Sequence, residues 1–253
     1  MKRFSIAEVK SSYEQKRNWE RQFPVSYYLF RPLSFPLTAL ASGLTNSAGA
    51  IAWAGLGVGA LGCGLLFQRG LAGPWPGIAC LALFALLDAV DGNMARVTGS
   101  VTRYGKFLDG TFGKLAEGLY LPALSAGLYF SEGPALNGFT APSAGLLLSG
   151  FVALIAMLYS SYIESAYEAL RNEAKAGAPP DLNAKIGSSR FRGNIFHSVF
   201  INLHAFNLQV LLLALAAFFG REAAFLALIT AYYLGRLAVL FTYYIVKART
   251  ELA

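Results

Sequence analysis

Six stretches of largely apolar sequence dominate the chain: residues 44–67, 77–97, 106–130, 142–167, 194–219 and 223–246. Each has roughly the length a helix needs to cross a hydrocarbon core, where a backbone must satisfy its own hydrogen bonds. The chain is therefore expected to be an all-α integral membrane protein with six transmembrane helices. With 55% hydrophobic and only 14% charged residues, too little polar surface remains to cover a water-soluble globule. The two cysteines, Cys63 and Cys80, sit in apolar stretches without metal or redox spacing and read as packing residues.

Six spans place both termini on one side. That side carries Arg96, Arg103 and Lys106, then Arg171, Lys175, Lys185, Arg190 and Arg192, and finally Lys247 and Arg249. The other side holds only Arg69, Glu132, Arg221 and Glu222. The positive-inside rule makes the basic side cytosolic, so both termini are expected in the cytosol, in a plasma or inner membrane. The net charge of +7 then tracks cytosolic loops and anionic lipid. No basic patch interleaved with aromatics points to nucleic acid.

Residues 1–40 form a polar juxtamembrane segment without the short apolar run of a cleavable signal. Within it, Ser5 to Phe23 mixes charge with Val9, Tyr13, Trp19 and Phe23. An amphipathic helix on the lipid headgroups and an ordinary solvated helix both fit that pattern. Residues 41–253 form the six-helix transmembrane domain. In its first span, Gly55, Gly57, Gly59, Gly62 and Gly64 suit close helix packing.

Ionisable residues in a span are functional by default. Asp88 and Asp91 are three apart and share a helix face near the cytosolic end of the second span, while Asp109 returns from the same side one turn into the third. Three carboxylates converging in a low-dielectric setting repel unless a cation neutralises them. Hard oxygen ligands suit Mg²⁺ or Mn²⁺, which share their coordination with substrate phosphates. Gly92 and Gly105 leave room for a ligand near the backbone, Ala95 keeps the wall low and Arg96 offers a positive fork for phosphate. The alternative is structural, with the aspartates paired to Arg96, Arg103 and Lys106.

The order D-x2-D-G-x2-A-R-x8-G-x3-D, from Asp88 to Asp109, resembles the signature of the CDP-alcohol phosphotransferase family. Its members are integral membrane enzymes that move a phosphoalcohol from a CDP-linked donor to an acceptor alcohol. The six spans and the segment Arg31-Pro-Leu-Ser-Phe-Pro-Leu37 are similar to that family too, although the likeness falls off after residue 170. The resemblance implies that 41–253 is a catalytic domain in which Asp88, Asp91 and Asp109 ligate metal, with two Mg²⁺ or Mn²⁺ ions expected. It makes Gly92, Ala95, Arg96 and Gly105 walls of the CDP site. Asn46 falls where family members often hold a nucleotide-contacting asparagine, without the usual neighbouring proline. The donor would be CDP-diacylglycerol or another CDP-alcohol, the product would serve phospholipid biosynthesis, and a homodimer is implied.

The family pattern ends D-x3-D, and here Gly113 stands where the last carboxylate is expected. In the family that aspartate acts as general base, an effect typically of about 10²–10⁴-fold. Three explanations stay open. Glu117, one turn further on the same face, could substitute; the acceptor could need no strong base; or the chain could bind a CDP-linked ligand and metal without turnover. Glu117 also has a plain reading, as a carboxylate paired with Lys114 or Arg103.

The fifth span carries a polar stripe of Arg190, Asn194, His197 and His204, with Asn202 and Asn207 nearby. Such a stripe faces protein or a water-filled cavity. It reads either as an acceptor groove or as interhelical hydrogen bonding. His197 and His204 are seven residues apart, about 10 Å along a helix, too far to share one ion. At the end of the fourth span, the acidic Glu164 and Glu168 disfavour an acceptor that already bears phosphate at that spot.

Overall fold

A computed structural model describes residues 2–131, 144–174 and 202–251, and every regular element among them is helical. Helix α1 (Ile6–Glu20) opens on a capping box, in which Glu8 N–H donates to Ser5 Oγ (3.2 Å) and Ser5 N–H to the Glu8 carboxylate (2.7 Å). Of the apolar residues that fitted either a headgroup-lying or a solvated helix, Val9 and Tyr13 are buried with Phe35, Val90 and Met94, so protein covers them. Trp19 remains exposed.

A single π-helical turn, Ser26–Phe30, leads into α2 (Arg31–Ala41). Ser47 then caps α3 (Ala48–Gln68) by accepting from Ala50 N–H at 3.2 Å. There follow α4 (Trp75–Val97), α5 (Arg103–Ser131), α6 (Ala144–Ala174), α7 (Phe206–Phe218) and α8 (Glu222–Glu251). These six close a ring: α3 packs on α4, α4 on α7, α7 on α8, α8 on α6, α6 on α5 and α5 back on α3. Helices α1 and α2 lie against α4. The ring's core includes Leu66, Leu81, Tyr120, Leu124, Met157, Leu213, Ile229 and Tyr233.

The outer surface is also apolar, with Leu61, Leu83, Leu119, Phe151, Ile155, Leu228, Phe241 and Ile245 all exposed. An exterior of this kind suits hydrocarbon and not water. Four helices are long and apolar enough to cross a membrane, at Ala48–Gln68, Trp75–Val97, Ala144–Asn172 and Glu222–Thr250. The chain is a multi-pass membrane protein. The two other predicted spans differ for physical reasons. Helix α5 has the length, at 29 residues, but its first half carries Arg103, Lys106, Asp109, Lys114 and Glu117. Helix α7 is apolar but only 13 residues long, and residues 194–201 of that predicted span lie outside the described residues.

The glycine-rich face of α3 does pack, though not at every glycine. A Cβ on Gly77 would come within 2.9 Å of Gly62 O and 2.7 Å of Leu66 Cγ, so α3 and α4 cross almost backbone to backbone. Gly57 and Gly64 instead face open space. Cys63 and Cys80 are free, half-buried thiols in this packing.

Candidate active site

Helix α4 ends in a tight reversal that aims α5 back beside it. Gly99, at φ +68°, donates its N–H to Arg96 O (3.2 Å), and Ser100 N–H reaches Ala95 O (2.9 Å). The left-handed turn needs a residue without Cβ strain, which glycine supplies. Thr102 Oγ1 then accepts from Gly105 N–H at 2.9 Å and starts α5. This hairpin brings Asp109, in the second turn of α5, beside Asp88 and Asp91 on the last turns of α4.

The three aspartates meet as expected. Each offers one carboxylate oxygen, and these atoms all lie within 4.8 Å of one another. Asp91 is buried, whereas Asp88 and Asp109 are open on one side. None of the three forms an ion pair with a lysine or arginine among the described residues, which removes the structural alternative of pairing to Arg96, Arg103 and Lys106. A cluster of hard oxygen donors this close, with no ion-pair partner among the described residues, fits Mg²⁺ or Mn²⁺.

Asp88 and Asp109 also line a cavity of 260 Å³ that runs past Gly113 to Lys114 and Glu117, with Phe84, Phe206 and Asn207 opposite. A Cβ on Gly113 would meet nothing within 4 Å, so the space beside it is open. Glu117 is buried at the far wall. Its carboxylate accepts from Lys114 Nζ (2.8 Å) and Tyr233 OH (3.0 Å), and His204 Nδ1 stands 3.5 Å away. The pairing with Lys114 is the one expected from the sequence; Arg103 takes no part. Behind Glu117, Gln209 accepts from Tyr120 OH (2.6 Å) and donates to Tyr233 OH (2.9 Å).

The remaining predicted residues lie around the hairpin. Arg96 folds back so that its guanidinium lies over Gly92, where a Cβ would sit 3.4 Å from Nη1. Ala95 is half-buried and Gly105 exposed. Asn46 precedes the α3 cap, and its buried Oδ1 has no hydrogen-bond partner among the described residues. An orphaned acceptor there has room for a donor from a ligand. Of the predicted acceptor stripe, Arg190, Asn194 and His197 lie outside the described residues, and His204 is brought to Glu117.

Sequence reasoning missed a second polar cluster, between the N-terminal helices α1 and α2 and the C-terminal half of α4. Glu20 of α1 accepts from Arg31 of α2 through Nε (2.6 Å) and Nη2, from Tyr13 OH (2.6 Å) and from Lys16 Nζ (3.2 Å). Arg31 Nη1 continues to Ala89 O (3.2 Å) and Asn93 Oδ1 (3.1 Å) of α4. The one available signal was Asn93 itself, an amide three residues before Arg96 on the same helix face.

A family model described as CDP-alcohol phosphatidyltransferase matches residues 60–248, a range that holds the three aspartates but not Asn46. The chain is 34% identical over 141 residues to a phosphatidylinositol phosphate synthase of Mycolicibacterium smegmatis, a match covering 56% of this chain and 57% of that protein. It is 34% identical over 101 residues to an archaetidylinositol phosphate synthase of Methanothermobacter thermautotrophicus, covering 40% and 44%. A phosphatidylinositol phosphate synthase of Streptomyces avermitilis is 31% identical over 140 residues, covering 54% and 51%. The chain thus spans about half the length of the curated relatives it matches. On the extent of the family match, the chain belongs to the CDP-alcohol phosphatidyltransferase family.

Proposed function

We propose that the chain transfers a phosphoalcohol group, of the phosphatidyl type, from a CDP-linked donor to an acceptor alcohol in phospholipid synthesis. The acceptor hydroxyl attacks the β-phosphorus, the bond from that phosphorus to the bridging oxygen breaks, and CMP leaves. The observation that carries this reading is the convergence of Asp88, Asp91 and Asp109 within 4.8 Å, with Asp88 and Asp109 lining a cavity.

Asp88, Asp91 and Asp109 would hold one or two Mg²⁺ or Mn²⁺ ions. When bound, such an ion neutralises charge on the diphosphate. Around it Gly92, Ala95 and Gly105 leave space for the nucleotide, Arg96 binds phosphate oxygen and Asn46 Oδ1 accepts from the base. Glu117 takes the proton of the acceptor hydroxyl across the space left by Gly113. The acceptor lies in the cavity in front of Glu117, with His204 and, on the chain segment before it, Arg190, Asn194 and His197 as further contacts. The relatives' names make a phosphorylated inositol the first acceptor to test.

The same reading places six spans in the membrane, with α5, about 43 Å long at 29 residues, and the segment ending in α7 as the two polar ones. Both termini face the cytosol, α1 rests at the headgroup level, and the protein works as a homodimer. Gly113, with Glu117 held by Lys114 and Tyr233, favours one other reading: a membrane protein that binds a CDP-linked ligand without turnover.

Incubating the purified protein with labelled CDP-diacylglycerol, Mg²⁺ and a panel of alcohols that includes inositol phosphate separates the two. CMP release with formation of a phosphodiester is expected. Tight CDP binding without CMP release for any alcohol would establish the binder and sink the enzyme.

A further inference from the structure

Arg96 follows Asp88 and Asp91 on α4 and forms no ion pair with a carboxylate among the described residues. It lies within electrostatic reach of Asp91, so something must hold it away. The holder is a neutral amide: Arg96 Nη2 donates to Asn93 Oδ1 at 2.7 Å. Asn93 is completely buried, and its own orientation is fixed from the other end, where Nδ2 donates to Ser34 Oγ (2.8 Å) and Thr38 Oγ1 (3.3 Å) of α2. Rotating the amide would turn NH₂ toward two guanidinium groups, so only one orientation is satisfied.

The same Oδ1 accepts from Arg31 Nη1 at 3.1 Å. Two arginines on one oxygen would repel, but Arg31 already has its counter-ion in Glu20, through Nε and Nη2. Arg96 has none among the described residues, and its buried Nε has no hydrogen-bond partner there either. The result is one neutralised guanidinium serving as an anchor and one guanidinium, without an ion pair among the described residues, held within electrostatic reach of Asp91. A charge-assisted hydrogen bond to a fixed acceptor orients a fork-shaped donor well.

We propose that Asn93, locked by Ser34, Thr38 and the Glu20–Arg31 pair, is a positioning residue that keeps Arg96 off Asp91 and aimed at the donor's diphosphate. The N-terminal helices thereby become part of the nucleotide site. Without the amide, Arg96 is free to swing onto the aspartates and neutralise the groups that hold the metal. This inference rests on the reading of Arg96 as a phosphate-binding residue.

The test is a double-mutant cycle on CDP affinity, measured by calorimetric titration of CDP with Mg²⁺ into the full-length protein in detergent. Asn93→Ala is expected to weaken CDP binding about ten-fold, the scale of one hydrogen bond to a charged group. Arg96→Ala should weaken it more, and Asn93→Ala on the Arg96→Ala background should add nothing. Asn93→Asp, which keeps the acceptor, should retain most of the affinity. Should Asn93→Ala not fold, Ser34→Ala loosens the amide and is expected to show a smaller loss that likewise vanishes in the Arg96→Ala background. A role in stability alone would lower the melting temperature and leave the cycle additive. Additive losses, or undiminished CDP binding in Asn93→Ala, overturn the inference while the functional reading stands. Undiminished binding in Arg96→Ala overturns both the role given to Arg96 and the inference built on it.

Discussion

Gly113 and Glu117 stand one turn apart on the same face of α5 and line the same cavity, to which Glu117 adds a third carboxylate beside those of Asp88 and Asp109. A side chain at position 113 would fill part of the space between Asp109 and Glu117. The glycine leaves that space open, and a Cβ there meets no atom within 4 Å.

Glu117→Gln is therefore expected to lower kcat by about 10²–10⁴-fold, the usual range for loss of a general base. The amide oxygen still accepts from Tyr233, but the charge paired with Lys114 is lost, so the melting temperature should fall as well. Because the space beside Gly113 is free, Gly113→Asp should fold normally and make the Glu117→Gln change tolerable. Assays of the two single variants and the double variant check this. Continued dependence on Glu117 in the presence of Asp at position 113 would assign it a structural role.

The metal site has a signature that does not depend on turnover. Three carboxylates whose oxygens lie within 4.8 Å, with no ion pair among the described residues, repel one another. Removing one of them should relieve that repulsion. Asp91→Asn is expected to raise the melting temperature in EDTA and to abolish the stabilisation that Mg²⁺ or Mn²⁺ gives the wild type. Thermal unfolding with and without Mn²⁺ measures both effects, and an equal metal-induced shift in the variant would remove Asp91 from the ligand set.

Much of this arrangement was legible because it depends on local spacing. Asp88 and Asp91 share a face through the three-residue separation, and Gly99 and Thr102 close the hairpin that returns Asp109, so a short piece of sequence holds the whole carboxylate cluster. The apolar spans were legible in length but not in partner. Hydropathy does not say that Val9 and Tyr13 turn toward Val90 and Met94, because protein and lipid are equally apolar covers. The Glu20–Arg31–Asn93 chain was invisible for a different reason. Its members come from three helices, with Glu20 and Arg31 at 20 and 31 and Asn93 at 93, and a charged residue near a basic terminus reads as solvated until its partner is known.

Gln209 tests whether the network behind Glu117 acts as a unit. It is completely buried, accepts from Tyr120 OH at 2.6 Å and donates to Tyr233 OH at 2.9 Å and Leu203 O at 2.7 Å. Gln209→Met keeps the volume but strands the Tyr120 hydroxyl, and an unsatisfied buried group is worth about 1–3 kcal/mol. A fall of several degrees in melting temperature is expected. Adding Tyr120→Phe removes the stranded hydroxyl and should recover part of that loss. If the two changes simply add, Tyr120 and Gln209 are not coupled.

The last prediction concerns pH and the N-terminal anchor. Burial pushes the Glu20 carboxyl up, but the hydrogen bond and charge of Arg31, the charge of Lys16 and the Tyr13 hydroxyl outweigh it and leave it below its ordinary value of 4.5. A carboxyl held lower in the folded state than in the unfolded one adds stability that is complete above the unfolded value and is lost as pH falls through the folded one. The wild-type melting temperature should accordingly drop as pH falls below 4.5. Glu20→Gln leaves the buried Arg31 and the half-exposed Lys16 without their counter-ion, a loss of about 3–5 kcal/mol for the broken buried pair with Arg31, so it should melt well below wild type at neutral pH. It has no carboxyl left to protonate, and the gap between the two proteins should therefore narrow in acid. Melting curves from pH 7 down to about 3 measure this; a gap that stays constant across the range would mean that Glu20 does not carry its charge in the folded protein.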